Sequence, residues 1–501
     1  MESAHSWKSG VTAILVAAVT AVLLWFGNGL DPWWPLMWFA PLPVLWFALR
    51  RPWWVAALTT AAGWLTSCFN LWNYFHRMGM PVVAWLAIFG AVALVAAGAV
   101  LLFRALVLRG AVWSGMIAFP AAWVSLEFAR NLTTPHATAG SIAYTQLKFL
   151  PFLQLASITG PWGMSFLLWC VPAALAIALH LRKTAPAQAL RVVATPLAVL
   201  AAVLVFGAIR LAISPRGQQV TVGLIASDTP ANVNVTAHGA DAGRLFQSYA
   251  AQAERLAANG AQAIVMPEKV AVVLDAENGS ADPIFQRLAD RTGATIVIGE
   301  VHLSGSARYN RARIYQPHQA VLSYDKEHML PPFESNLTPG TALVTLPEHA
   351  SPWGVAICKD MDFTPLSRRY GKAGVALMLV PGWDFNVDRS WHGHMAVMRG
   401  VEDGFTVVRA AKDGYLTVSD DRGRVVAETR SDAAPFATLL TSVSAAHSAT
   451  FCLLLGDWFG WLAFALLLFA VVQLCRISFA SVSRSRSRAV VPGGGADHAS
   501  A

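Results

Sequence analysis

Gly354-Val355-Ala356-Ile357-Cys358 is an apolar run that ends on a thiol. Short apolar runs with β-branched residues read as buried strands, so the sulfur should stand where a rigid element presents it to a cleft. Met266-Pro267-Glu268 and Tyr324-Asp325-Lys326-Glu327-His328 have the same form, each placing a reactive side chain just after a strand. Further buried strands are expected at Val220 to Ile225, Ala263 to Met266, Ala294 to Ile298, Val355 to Ile357 and Val375 to Val380. Leu245, Tyr249, Ala253 and Leu256 recur at helical spacing and predict a helix over 240–259, and 391–405 is a second candidate. Tyr415 to Val418 and Arg424 to Val426 flank Asp420-Asp421-Arg422-Gly423, a hairpin signal with glycine supplying positive φ. Mixed strands and helices over this stretch predict a layered α/β domain at 219–446.

Outside that stretch the chain is a different kind of polymer. Of 501 residues 55% are hydrophobic and 13% charged, against about a quarter charged in an average soluble protein. The excess apolar surface needs lipid. A bilayer core takes roughly 20 helical residues, and candidate spans lie near 10–27, 33–49, 53–75, 82–104, 112–129, 160–180, 193–213 and 451–475. The first has no small-residue cleavage site followed by a soluble chain, so it is expected to remain as an anchor. The expected division is therefore a seven-span domain over 1–218, an extracytoplasmic domain over 219–446, a final span within 447–477, and a disordered cytoplasmic tail over 478–501.

The formal charge of +8 raises the question of nucleic acid, but the basic residues sit mainly between hydrophobic segments and in the tail. Arg50 and Arg51, Arg104 and Arg109, and Arg182, Lys183 and Arg191 occupy alternate loops. They read as topology signals that place both termini in the cytoplasm and the α/β domain on the far side, the periplasm of a Gram-negative cell. No nucleic-acid partner is expected. Almost no charge falls within a span, which argues against a transporter whose outer domain is a binding module. His392-Gly393-His394 lacks a Cys or carboxylate cluster to complete a metal site, and neither a metal nor another cofactor is expected.

Cys68, Cys170, Cys452 and Cys475 fall in or at the ends of apolar segments, which leaves Cys358 alone in the α/β domain. A thiol is mostly protonated at neutral pH, so a nucleophilic cysteine needs a base or a nearby positive charge. Glu268 could take the proton. Lys326 could stabilise both the thiolate and the oxyanion formed on attack at a carbonyl.

In their order and context these three segments resemble the nitrilase (carbon-nitrogen hydrolase) superfamily, with its Glu-Lys-Cys triad. The resemblance implies an αββα sandwich in which Glu268 is the base, Lys326 the oxyanion stabiliser and Cys358 the nucleophile. It also marks Glu334 as an additional carboxylate, and Trp383, His394, Arg399 and Glu402 as matching positions. Seven spans, such a domain and one final span resemble the apolipoprotein N-acyltransferase family over residues 10–475. Trp123, Glu127 and Arg130, the Ser141 and Tyr144-Thr145-Gln146 turn, Gln154-Leu155-Ala156 and Gly163-Met164-Ser165-Phe166 are similar to that family's membrane segments. Glu127 and Arg130 also fit a plain i,i+3 pair at a helix end.

The resemblance implies ping-pong acyl transfer from a phospholipid donor, through a Cys358 thioester, to the diacylglyceryl-cysteine amine of a diacylated apolipoprotein at the inner membrane. Two features depart from the pattern. The nucleophile is followed by Lys359 and Asp360 where the family has an aromatic and a glutamate. Only Ser335-Asn336-Leu337 separates Glu334 from Thr338-Pro339-Gly340, where the family carries a long apolar arm. The alternatives are a membrane-anchored amidase or an acyltransferase paralogue with a different acceptor.

Overall fold

The computed structural model describes residues 2–213, 217–229, 237–275, 281–347, 349 and 351–489. Among these, six helices are long and apolar enough to cross a membrane: Gly10–Gly27, Val82–Leu108, Val112–Thr133, Ala156–Leu181, Pro186–Ala212 and Trp458–Ala480. Eight spans were expected, and proline and length account for the difference. Pro35, Pro41 and Pro43 break the 33–49 segment into a 3-10 turn, Trp34–Trp38, and a short helix, Leu42–Ala48, because each lacks the N–H that a helix interior needs. Trp53–Cys68 has 16 residues, roughly 24 Å of helix, and continues as Phe69–Leu71 and Trp72–Arg77.

The expected 451–475 span begins later. Phe451–Leu455 is a separate turn, Gly456 takes φ 67°, and the long helix starts at Trp458. That helix extends to Ala489, into the segment read as a disordered tail, because adding residues to an existing helix is far easier than nucleating one. Residues 490–501, the rest of that expected tail, lie outside the described residues.

Between the last two membrane helices the chain forms two sheets. The first contains β1 (Gln218–Ala226), β2 (Ala263–Val265), β3 (Val272–Leu274), β4 (Thr295–Ser304), β5 (Ala307–Tyr315), β6 (Leu322–Asp325) and β13 (Ala437–Ala445). Its order is β13-β1-β2-β4-β5-β6, with β3 also paired to β4. The second runs β12-β11-β10-β9-β8-β7, from β7 (Thr345–Leu346), β8 (Trp353–Val355), β9 (Leu377–Trp383), β10 (Thr406–Lys412), β11 (Tyr415–Ser419) and β12 (Val425–Arg430). The β11–β12 pair is the hairpin expected from sequence, with Gly423 at φ 74°.

An apolar core that includes Val222, Val265, Val355, Leu379 and Val408 fills the space between the sheets. The helices Gly239–Ala258 and Asp282–Thr292 cover the outer face of the first sheet, burying Phe246, Tyr249 and Phe285. Thr364–Lys372 and Trp391–Asp403 cover the second. Helix, sheet, sheet, helix is the expected αββα order.

Trp391–Asp403 also turns Met395, Met398 and Val401 into the core of the membrane helices. Polar contacts reinforce that junction. Asp457, in the break before the last long helix, accepts from Trp162 Nε1 (3.0 Å) and Thr364 Oγ1 (3.2 Å) and pairs with Arg368 (3.1 Å). Gln154 accepts from Arg210 Nη1 (2.8 Å) and donates to the Arg422 carbonyl (2.9 Å).

Candidate active site

The three sequence-predicted residues lie at the carboxyl ends of strands from both sheets. Glu268 follows β2, Lys326 directly follows β6, and Cys358 follows β8 through Ala356 and Ile357. The expected strand Val355 to Ile357 overlaps β8 only at Val355, because the chain must turn to present the sulfur. Cys358 sits at φ 45° and Lys269, beside Glu268, at φ 49°. Left-handed backbone at non-glycine residues is costly and persists where surrounding structure over-determines it.

Lys326 is at the centre of a buried charge cluster. Its ammonium donates to Glu268 Oε1 and Glu334 Oε2, both at 2.8 Å. Glu334 Oε1 also accepts from Lys269 Nζ at 2.7 Å. Asn310 on β5 bridges the carboxylates, its Nδ2 lying 2.5 Å from Glu268 Oε1 and 2.8 Å from Glu334 Oε1. Burial alone would lower the Lys326 pKa, but Glu268 and Glu334 outweigh it and hold the ammonium well above its ordinary range. Burial would likewise raise Glu334, yet Lys326 and Lys269 keep it well below the usual carboxylate range. An ammonium has three donors, so two carboxylate bonds leave Lys326 one to offer the pocket.

Cys358 is buried, and its thiol donates to the Trp383 carbonyl at 3.5 Å. Arg409 Nη2 lies 3.9 Å from the sulfur, and this guanidinium is clamped by both oxygens of Asp384 at 2.6 and 2.8 Å. Burial and then the Glu268 charge push the thiol up, and Lys326 and Arg409 pull it down only in part. The neutral thiol is therefore the favoured form of Cys358.

These groups open onto a pocket with Leu330, Phe333, Trp383 and Phe385 as its apolar wall. Lys359 and His392 line it as well. Trp383 Nε1 donates to Asp413 at 2.9 Å, and its ring lies under the ammoniums of Lys412 and Lys269 at 4.5 and 5.3 Å. Asp360 is elsewhere: its carboxylate accepts from Tyr324 OH (2.8 Å), His328 N (2.9 Å) and Ile357 N (3.2 Å), tying the Lys326 segment to the turn that bears Cys358. It supports the site without lining it.

The other expected positions are structural in their contacts. Arg399 pairs with Glu402 at 2.8 Å and reaches Tyr144 OH at 3.1 Å, while His394 does not line the pocket. Glu127 does not form the expected ion pair with Arg130 among the described residues. It accepts instead from Trp123 Nε1 (3.0 Å), Ser141 Oγ (3.0 Å) and Ile142 N (2.8 Å), bracing the turn that carries Tyr144 to Gln146. Arg130 donates to the Ala139 carbonyl at 2.8 Å.

Residues 10–174 match the model of the apolipoprotein N-acyltransferase N-terminal domain. An apolipoprotein N-acyltransferase of Geobacter metallireducens is 27% identical over 62% of this chain and 65% of its own length. One of Rhodopseudomonas palustris is also 27% identical, over 85% of this chain and 88% of the relative. The chain is a relative of the apolipoprotein N-acyltransferases. Its alignment with the Geobacter protein thus spans a little under two thirds of that relative. Among solved structures, an amidase from Nesterenkonia sp. superposes with a TM-score of 0.40 at 21% identity, covering 46% of this chain and 92% of the amidase.

Arg409, Asp384, Asn310 and Lys269 were not anticipated as site residues, and His392 was weighed only as a metal ligand. Asn310 carried a signal, since a polar amide in the middle of the β5 sequence needs a buried partner. Arg409 and Asp384 carried none, because their pairing crosses from β10 to the end of β9.

Proposed function

We propose that this chain is an apolipoprotein N-acyltransferase, moving an acyl chain from a membrane phospholipid to the α-amine of a diacylglyceryl-cysteine. The observation that carries this reading is the Glu268–Lys326–Cys358 pocket, held against the membrane helices by the Trp391–Asp403 helix. Glu268 takes the thiol proton as sulfur attacks the ester carbonyl, and the free donor of Lys326 stabilises the oxyanion. The C–O bond breaks, the glycerol oxygen recovers the proton, and lysophospholipid leaves behind a Cys358 thioester. The acceptor amine then attacks the thioester, loses a proton to Glu268, and the C–S bond breaks to restore the thiol.

Support for the sidedness comes from the basic loops. Arg104 donates to the carbonyls of Ala48 and Arg51, and Arg50 senses the charge of Arg182, so these loops gather at one end of the helices. By the positive-inside bias that end is cytoplasmic. The catalytic domain packs at the other end, which is the periplasmic side of a bacterial inner membrane.

The test is to incubate the purified full chain with labelled phosphatidylethanolamine and analyse the Cys358 peptide by mass spectrometry. A thioester that a diacylated lipopeptide discharges is the expected result. The second reading, a membrane-anchored amidase, is favoured by the short segment after Glu334, and it wins if no adduct forms while small amides are hydrolysed. Activity persisting in Cys358→Ala would sink both.

A further inference from the structure

The wall of the pocket nearest the membrane part carries a charge arrangement that the triad does not use. Lys359 follows the nucleophile directly and is 2% exposed, with its ammonium 3.1 Å from Asp362 Oδ2. Asp362 Oδ1 is 3.5 Å from His392 Nδ1, and His392 Nε2 is 3.5 Å from Asp388 Oδ2. Lys359 and His392 line the pocket, whereas both aspartates are fully buried behind them. The cations therefore form the inner face and the carboxylates back them. With Lys269 and Lys326 also lining the pocket, four cationic side chains, counting His392, face two carboxylates, Glu268 and Glu334.

Burial would lower the pKa of His392, but Asp362 and Asp388 together raise it to about 10, so it is a cation at neutral pH. The Lys359 ammonium spends one of its three donors on Asp362 and rests over the Phe363 ring at 5.7 Å. Two donors remain beyond the Asp362 bond, on a residue that lines the pocket. Lys359 directly follows Cys358 in the chain, and both residues line the pocket.

This wall is also the one pinned to the membrane loops. Thr138 Oγ1 donates to the Asp362 carbonyl at 2.8 Å, Ser390 Oγ to the Leu30 carbonyl at 3.3 Å, and Trp391 packs edge-on against Tyr74 with ring centroids 5.3 Å apart. A lipid whose tails remain in the bilayer would present its headgroup here.

We propose that Lys359, backed by Asp362 and assisted by His392, is the subsite for the donor's phosphodiester. This deepens the proposed acyl transfer and rests on it. Lys359 then determines specificity: it recognises the anionic group that a phospholipid has and both an uncharged acylglycerol and the lipoprotein acceptor lack.

Ping-pong kinetics separate the two half-reactions, which makes the proposal testable in the full chain. The donors are phosphatidylethanolamine, phosphatidylglycerol and dioleoylglycerol, and the acceptor is a diacylated lipopeptide with a free amine. In Lys359→Met, kcat/KM for both phospholipids should fall roughly tenfold or more, the scale of a lost charge-assisted hydrogen bond. The ratio of phospholipid to dioleoylglycerol use should fall equally, kcat/KM for the lipopeptide should hold, and Lys359→Arg should recover most of the loss. Because Lys359→Met leaves Asp362 with His392 as its one cationic partner among the described residues, Lys359→Met/Asp362→Asn is measured alongside and should show the same selectivity change. Equal losses for all donors and the acceptor, or no change in the ratio, would overturn the proposal. Failure of the wild type to form any acyl-enzyme from phospholipid would instead remove the acyl-transfer reading beneath it.

Discussion

At Cys358 the electrostatics favour the neutral thiol, and this sets how the residues around it must act. Burial and Glu268 oppose the thiolate while Lys326 and Arg409 favour it, so attack and deprotonation should be coupled. Replacing Arg409 with methionine removes one of the favourable charges and leaves Asp384 unpaired in a dry site. The thiol should then titrate higher, and its alkylation by iodoacetamide at fixed pH should slow. The variant should also lose about 3–5 kcal/mol of stability, the usual result of breaking one side of a buried pair, read from a denaturant midpoint. Lys326→Met should be more damaging to activity, lowering kcat by roughly 10²–10³, as loss of an oxyanion donor does, with acyl-enzyme formation followed by mass spectrometry. Faster alkylation in Arg409→Met would contradict the charge assignment. Glu268, Lys326 and Cys358 were legible as candidates because each follows a short strand. Arg409 and Asp384 were not, since a pair that spans two strands leaves no mark in local spacing.

Elements explain what the residues cannot. Asp360, the acid two residues after the thiol, is a clasp between the end of β6 and the turn bearing Cys358. Asp360→Ala should orphan the Tyr324 hydroxyl and the Ile357 and His328 N–H groups, costing at least about 2 kcal/mol and lowering the thermal midpoint. The Trp391–Asp403 helix has its own pH signature through His392. Its folded pKa of about 10 stands above the ordinary 6.5, so its stabilising charge is fully present below about pH 6.5 and lost as pH rises through about 10. Denaturation midpoints of the wild type should decline across that window, and His392→Gln should flatten the decline. A wild-type profile as flat as the variant's would remove His392 from the ionic wall.

The same scale shows why six long apolar helices stand beside eight expected spans. Hydropathy identified the apolar residues of 33–49 correctly, but three prolines forbid one continuous helix there, and Gly456 with Asp457 does the same to 451–475. Apolar content says that a segment prefers lipid, and backbone chemistry decides whether it can cross as a helix.

For the whole molecule, the proposed acyl transfer requires the site in the αββα sandwich to reach an ester in the bilayer. The junction between the two parts is polar as well as apolar, and Asp457 ties a membrane helix, Trp162, to the sandwich through Thr364 and Arg368. None of its partners lines the pocket. Asp457→Ala should therefore leave the chemistry of Cys358 intact while loosening the hold of the sandwich on the helices. Hydrolysis of a short water-soluble thioester, which needs no bilayer, should remain within about twofold of wild type, whereas acyl-enzyme formation from phosphatidylethanolamine vesicles should fall roughly tenfold, since misplacing reactants by about 1 Å costs on the order of 10²-fold. Limited proteolysis at the junction should accelerate in parallel. If both substrates slow equally, the junction serves only to keep the protein folded. If neither slows, lipid reaches Cys358 without help from the docked geometry, and the sandwich would work as well on a flexible tether.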